Sequence, residues 1–351
     1  MDALQPGRGP IRSATYLPAE PTTVFWGRLP CEADDAILTV DPGTEVTIDT
    51  ISHEGILEDQ GRNPIEFFAR YGVPRDLVLD DAVALAASDR SRGQHGPHVV
   101  TGPIHVRGAR PGDLLRMTVI ETLPRVPYGV VSNRHGRGAL PGEYPVGGET
   151  VSVFAGVDGD HGTLPRTLGA EHSVRFPLRP FLGIMGVAVT GSTRPHSVPP
   201  GPHGGNIDIN LLTEGASLYL PVQVDGALAY VGDPHFAQGD GEVALTAMEA
   251  SLRATIRFEV VAHEDALREF GELAGPLAET SKYLIPTGMS EDLDIAVQDC
   301  VRAAIALLRA RYGMDAEHAY AYLSAATDFN ISQVVDLVKG VHARIRVADF
   351  G

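Results

Sequence analysis

Between the apolar runs SLYLPVQVDGALAYV and VALTAMEASLRATIRFEVV the chain carries GDPHFAQGDGE, Gly232 to Glu242, where His235, Gln238, Asp240 and Glu242 crowd into eight positions. Glycines at 232, 239 and 241 free the backbone to turn there. If 240–242 is extended, Asp240 and Glu242 leave the same face, and two like carboxylates on one face repel unless a cation, a donor or a shared proton lies between them. An isolated Asp-Gly-Glu would be a solvated turn. The adjacent His and the flanking apolar runs argue for acid/base or metal chemistry instead.

Two further glycine-rich segments concentrate the same residue types. In GPHGGNIDINLLTEG, an extended 206–208 sends Asn206 and Asp208 to one face, and Gly204 and Gly205 leave room for a ligand against the backbone. Imidazole nitrogen and carboxylate oxygen, here from His203 and Asp208, are ordinary ligands of a catalytic zinc. In HGPHVVTGPIHVRGARPGDLL, one of His95, His98 and His105 is expected to supply a third ligand, His98 directly preceding an apolar strand start. Upstream, TIDTISHEGI places Asp49 and His53 at a strand end that reaches the same rim, with Glu54 read as a solvated charge.

These groups need rigid elements behind them. The 39 Gly and 26 Pro fall between short alternating runs such as EVTIDTI, IHVRG, LLRMTVIETL, SVRFPL and LRATIRFEVV, the punctuation of a β-sandwich or barrel. Helices are expected at NPIEFFARYGV and DLVLDDAVALAASDR, within an insertion over about 54–96. After about residue 276 the composition shifts. SEDLDIAVQDCVRAAIALLRARYG predicts a helix with Ser290 as N-cap and an apolar face of Val297, Val301, Ala304, Ile305 and Leu308. A second helix capped by Asp315 and a closing strand VHARIRV follow. The chain thus reads as a mainly β domain over 1–276 and a small α+β unit over 277–351.

Composition excludes several classes. With 28 basic against 45 acidic residues, net charge −17 and no long Lys/Arg cluster, nucleic acid is not expected as a partner. No apolar run is long enough to span a bilayer and the amino terminus has no leader-like core, so a soluble cytoplasmic protein is expected. Cys31 and Cys300 form no framework and lack an activating base. G-x-S-x-G and H-E-x-x-H are absent, and HGRGALPG lacks the third glycine of a dinucleotide loop.

Taken together, the motifs resemble those of the acetamidase/formamidase family. A His-Gly-Gly-Asn-x-Asp element is met by His203, Gly204, Gly205, Asn206 and Asp208. A Gly-Asp-x-His-x-x-Gln-Gly-Asp-Gly-Glu element is met by Gly232, Asp233, His235, Gln238, Gly239, Asp240, Gly241 and Glu242. Thr101-Gly102-Pro103, Pro111-Gly112-Asp113 and AYAYLSAATDFNISQVVD are similar to other family segments. The resemblance implies a β-rich homo-oligomeric enzyme that hydrolyses a short amide to a carboxylate and ammonia, with a cyclic amide as the alternative substrate. The 54–96 insertion departs from shorter members and could narrow the entrance.

On that footing a divalent metal, zinc or else calcium, is expected among Asp49, His98, His203, Asp208 and His235, because an amide needs a strong nucleophile and a polarised carbonyl. Glu242 is the expected general base and then acid. Asn206, Gln238, Gly204 and Gly205 are expected to orient the amide, and Asp240 to assist catalysis from outside the metal or to receive the ammonium. Lys282 is the lysine to test if no metal is used. The competing class is a metal-bearing β-sandwich that only binds, which would not require a spare Glu beside a His.

Overall fold

The computed structural model describes all residues except 1, 91, 94, 170 and 171. The alternating runs build two sheets. One has nine strands in the order Thr15–Leu17, Thr44–Asp49, Leu252–Val261, Leu114–Pro124, Ser217–Pro221, Leu277–Glu279, Tyr283–Ser290, Lys339–Arg346 and Asp328–Gln333. The other has eleven, with Tyr128–Asn133, Met248–Glu249, Ala229–Ala237, Phe181–Gly186 and Gly204–Asn206 adjacent in that order and Val99–Val106 also pairing with Ala229–Ala237. One continuous core takes Val46, Ile48, Leu115 and Ile256 from the first sheet and Ile104, Leu182 and Val231 from the second. The mainly β class with a small carboxyl-terminal helical region is therefore as the sequence indicates.

Among the described residues five α-helices decorate the sheets: α1 (Pro64–Ala69), α2 (Asp80–Ala87), α3 (His263–Phe270), α4 (Leu293–Tyr312) and α5 (Ala316–Ala326). Helices α1 and α2 lie within 54–96, where helices are expected from the sequence. Asn63 caps α1 by accepting from the Glu66 amide, and Phe67, Phe68, Leu85 and Ala86 join the main core.

Helix α4 starts two residues later than its composition suggests. Ser290 still belongs to the strand, and Asp292 is the cap, its carboxylate accepting from the amides of Asp294 and Ile295. An Asp cap suits the positive helix end, and Gly313 closes the helix in the left-handed region. The buried stripe is also rotated, to Ala296, Cys300, Ala304, Leu307 and Leu308, while Val297 is exposed. The reason is steric: α4 lies so close to strand Tyr283–Ser290 that a Cβ on Gly288 would stand 2.1 Å from the Ala296 carbonyl oxygen. Only the small Ala296 and Cys300 fit that contact, and larger apolar residues take the flanks. Asp315 caps α5 as expected. The division at 276/277 remains a proposal from composition, for the nine-stranded sheet is continuous across it.

Candidate metal centre

Strand Ala229–Ala237 carries Asp233 and His235 two residues apart, so both side chains leave one face. The antiparallel register sets His235 opposite Glu249 on one side and opposite Phe181 on the other. His235 Nε2 accordingly lies 3.1 Å from Glu249 Oε1 and 3.2 Å from Asp233 Oδ2. Its Nδ1 is 3.8 Å from Asp208 Oδ1, just beyond strand Gly204–Asn206. His98, immediately before strand Val99–Val106, points Nε2 to within 3.8 Å of Asp233 Oδ2, and Ser197 holds its Nδ1 at 3.0 Å. His53, after strand Thr44–Asp49, stands 3.5 Å from Asp233 Oδ1 and 3.4 Å from Glu54 Oε1.

The result is three overlapping groups of donors: His53, His98 and Asp233; Asp233, His235 and Glu249; and Asp208, His235 and Glu242. All are buried. Glu242 arrives on the loop after Gly239, and Asp336 arrives on the turn between the last two strands of the nine-stranded sheet.

Backbone and glycine geometry make room for this crowding. Asp208, Asp233 and Glu242 adopt φ of +49°, +48° and +48°. For non-glycine residues such left-handed conformations cost of order 1–3 kcal/mol each and persist only where surrounding structure enforces them. Gly183, between Leu182 and Ile184 on the neighbouring strand, forms the floor. A Cβ there would lie 2.6 Å from Asp208 Oδ1, 2.7 Å from His235 Cε1 and 2.8 Å from Asp233 Oδ2.

The electrostatics show why bare side chains are an incomplete account. Burial, with Asp233 and Glu249 nearby, raises Asp208 to about 8. Burial, with Asp208 added, also pushes Glu242 and Asp336 well above the ordinary carboxylate range. Against His53 burial acts in the opposite sense, yet Asp233, Glu249 and Glu54 outweigh it and raise its pKa to about 10. Burial holds His98 down to about 4. Two unit charges 4 Å apart repel by about 4 kcal/mol at an effective dielectric of about 20, so Asp208, Asp233, Glu242, Glu249 and Asp336 need protons or cations among them. Both Asp208 oxygens, Asp233 Oδ1, Glu249 Oε2 and both nitrogens of His53 and His235 are buried without a hydrogen-bond partner. Such orphaned atoms are rare unless a ligand completes them, and this donor set fits a divalent cation.

Among the residues expected from the sequence, the fold brings His98, Asp208, His235, Glu242 and Asn206 together. It seats Asp49 elsewhere. Asp49 accepts from Arg253 Nε at 2.6 Å and Nη2 at 3.0 Å and from the Tyr16 hydroxyl at 2.5 Å, so its carboxylate is consumed by an ion pair inside the sheet. His203 is buried but belongs to none of the three donor groups; its ring packs over Gly201 and Gly205, and burial lowers it to about 4. Gly204 and Gly205 are closed in by Met185, Leu220 and Leu29 rather than facing a cavity. Gln238 Nε2 donates to the carbonyls of Asp208 and Ser332, tying two site loops together. Asp240 is exposed and held by Asn210 and Asn330, because the chain turns at Glu242 and the two carboxylates diverge. Lys282 sits exposed on a turn of the nine-stranded sheet.

Several site groups escaped the sequence reading. Asp233 had its signal in the two-residue spacing to His235. Glu54 is buried, not solvated: it meets His53, accepts from Ser132 at 2.6 Å and lies 3.6 Å from Arg134. Glu249, Asp336 and Gly183 carry no local signal, since only the strand register and the loop packing bring them in.

The cluster opens into a cavity of about 240 Å³. Its inner wall is His53, His98, Asn206, Asp233, Glu242, Glu249 and Asp336, and its mouth is formed by Leu57, Asp59, Arg92 and His95 of the insertion together with Arg134, Arg137 and His196. Asn206 Oδ1 is one of the buried acceptors without a partner.

The two sheets thus present a buried His/carboxylate cluster with the donors to hold a metal ion beside a small cavity. The model of the acetamidase/formamidase family matches residues 188–347 of the chain. A Schizosaccharomyces pombe protein provisionally named a formamidase is 29% identical over 249 residues, covering 56% of this chain and 61% of that one. A formamidase of Methylophilus methylotrophus is 28% identical over 305 residues, covering 68% of this chain and 74% of the relative. The chain therefore spans about three fifths of the length of the first and three quarters of the second. In fold, the crystal structure of an acetamidase from Bacillus halodurans superimposes with a TM-score of 0.74 at 24% identity, over 96% of this chain and 98% of that one.

Proposed function

We propose that this protein hydrolyses a short aliphatic amide, of the formamide or acetamide class, to a carboxylate and ammonia, and that the reaction depends on a divalent metal held in the buried cluster. The observation that carries this reading is the cluster itself: three imidazoles and five carboxylates, with buried unpartnered atoms on His53, His235, Asp208, Asp233, Glu249 and Asp336, at the bottom of a cavity of about 240 Å³. That volume is below the roughly 300–1,000 Å³ of sites built for drug-sized ligands, so it supports a substrate of few heavy atoms. His53, His98, Asp208, Asp233, His235 and Glu249 would hold the metal. When bound, a divalent cation supplies Lewis-acid polarisation of a carbonyl and lowers the pKa of water. The mixture of imidazole and carboxylate suits zinc, whereas the oxygen-rich side with Asp208 and Glu242 suits a harder cation such as calcium.

The chain's own groups divide the remaining work. Glu242, buried at the cavity wall, takes a proton from the attacking water and returns it to nitrogen, so that the C–O bond forms, the C–N bond breaks and ammonia leaves. Asn206 Oδ1 accepts from the substrate N–H₂ group and fixes its orientation. Gln238 acts through Asp208, whose backbone carbonyl it holds. Ser197 fixes the His98 ring through Nδ1, leaving Nε2 for the metal.

Two measurements test this together. Ammonia release from formamide, acetamide, longer amides and a small lactam should reveal turnover that a strong chelator removes and a divalent cation restores, with near-stoichiometric metal by elemental analysis. Glu242→Gln should lower kcat at least ~100-fold, in the range of a lost general acid–base group, with metal content and fold retained. Full activity in the metal-free protein or in Glu242→Gln would refute the mechanism. A preference for the lactam would keep the chemistry and change the substrate.

A further inference from the structure

The mouth of the cavity carries a sign of charge opposite to that of the molecule. Three arginines and two histidines line it, in a chain whose net charge is −17. Two of the arginines are already committed. Arg92 pairs with Glu58 at 2.9 Å and donates to the His95 carbonyl, while Arg134 pairs with Asp59 at 2.7 Å and approaches Glu54. Arg137 differs. Among the described residues no acid lies within ion-pair distance of its guanidinium, and no side-chain acceptor meets it, although its backbone is fixed by a hydrogen bond to Arg134. His196 shares the mouth with it, and burial, with His95, Arg28 and Arg137 nearby, lowers the His196 pKa.

A free guanidinium at the rim, with an unpartnered Asn206 acceptor and a metal-fitting cluster at the bottom, makes a cavity with two ends. The far field of an acidic molecule repels anions, so a local cation is useful only to a ligand that enters far enough to meet it. Resting on the amidase reading, we propose that the substrate is an amide that also bears a carboxylate: its carboxamide reaches the metal cluster and its carboxylate is bound by Arg137 at the mouth. Arg137 is then a specificity-determining residue that touches the substrate but not the reacting bond. The bidentate geometry of guanidinium with carboxylate suits that task, and a cavity of about 240 Å³ has the volume for an amide that carries one or two methylenes and a carboxylate.

The test compares malonamate with propionamide, and succinamate with butyramide, on the metal-loaded enzyme. One charge-assisted hydrogen-bonded pair is expected to favour each anionic amide by about 10-fold or more in kcat/KM. Arg137→Gln should collapse that ratio towards one, mostly through KM, and Arg137→Lys should retain part of it. Equal or better use of the neutral amides, or a ratio unmoved by Arg137→Gln, would overturn the proposal while leaving the amidase reading intact. Absence of turnover on every amide, formamide and acetamide included, would overturn both.

Discussion

Gly183 shows how much of the site depends on one missing methyl group. A Cβ at that position would fall inside the van der Waals shells of Asp208, His235 and Asp233 at once. None of the three can retreat: their rings and carboxylates are buried, and Asp208 and Asp233 are held in left-handed conformations. Gly183→Ala is therefore expected to displace the metal-ligating atoms while costing the fold only the few kcal/mol of local overpacking, about 1–3. Elemental analysis of the purified variant should show metal occupancy reduced by an order of magnitude or more, and turnover reduced with it. A variant with full metal and full activity would mean that the cluster is not the metal site. At this scale the sequence displays His98, Asp208, His235 and Glu242, because chemistry-bearing types on glycine-rich turns stand out. It cannot display a glycine whose importance is the space above it.

Among the elements, the strand ladders turn sequence neighbours into site neighbours and also separate them. Asp233 and His235 share a face because strands alternate. Glu249 meets His235 because an antiparallel register sets Met248–Glu249 beside it, a partnership 14 residues away in sequence. Asp49 shows the reverse. It ends strand Thr44–Asp49 near the rim, yet register opposes it to Arg253, and the two form a buried pair with Tyr16 and with Arg125, which also binds Asp81 at 2.7 Å. Removing one member of such a pair leaves an uncompensated buried charge and costs about 3–5 kcal/mol. Asp49→Ala should accordingly lower the urea midpoint sharply while the protein that remains folded binds metal normally. Loss of metal with unchanged stability would return Asp49 to the ligand set. Helix α4 teaches the same lesson: its period is plain in the sequence, but the close approach at Gly288 chooses which stripe is buried.

For the molecule as a whole, stability must follow pH through groups buried in one protonation state. His342, on strand Lys339–Arg346, is fully buried beside Ser332, and burial, with Arg344 nearby, lowers it from 6.5 to about 4. The folded protein then binds fewer protons than the unfolded chain between those values. The stabilisation is complete above about 6.5 and is lost as pH falls through about 4, at up to roughly 1.4 kcal/mol per pH unit. Denaturant midpoints across that window should show His342→Asn with the shallower acid limb; parallel limbs would refute it. By itself the sequence determined the mainly β class, the helices within 54–96, the second helix pair and the residue types of a metal-fitting site, because alternation, turn residues and helical caps are local rules. The tertiary structure decided which candidates meet. Cross-strand register, a floor glycine and the loops bearing Glu242 and Asp336 are set by packing between segments distant in the chain, so no local spacing encodes that Glu249 enters the site while Asp49 and Asp240 are spent elsewhere.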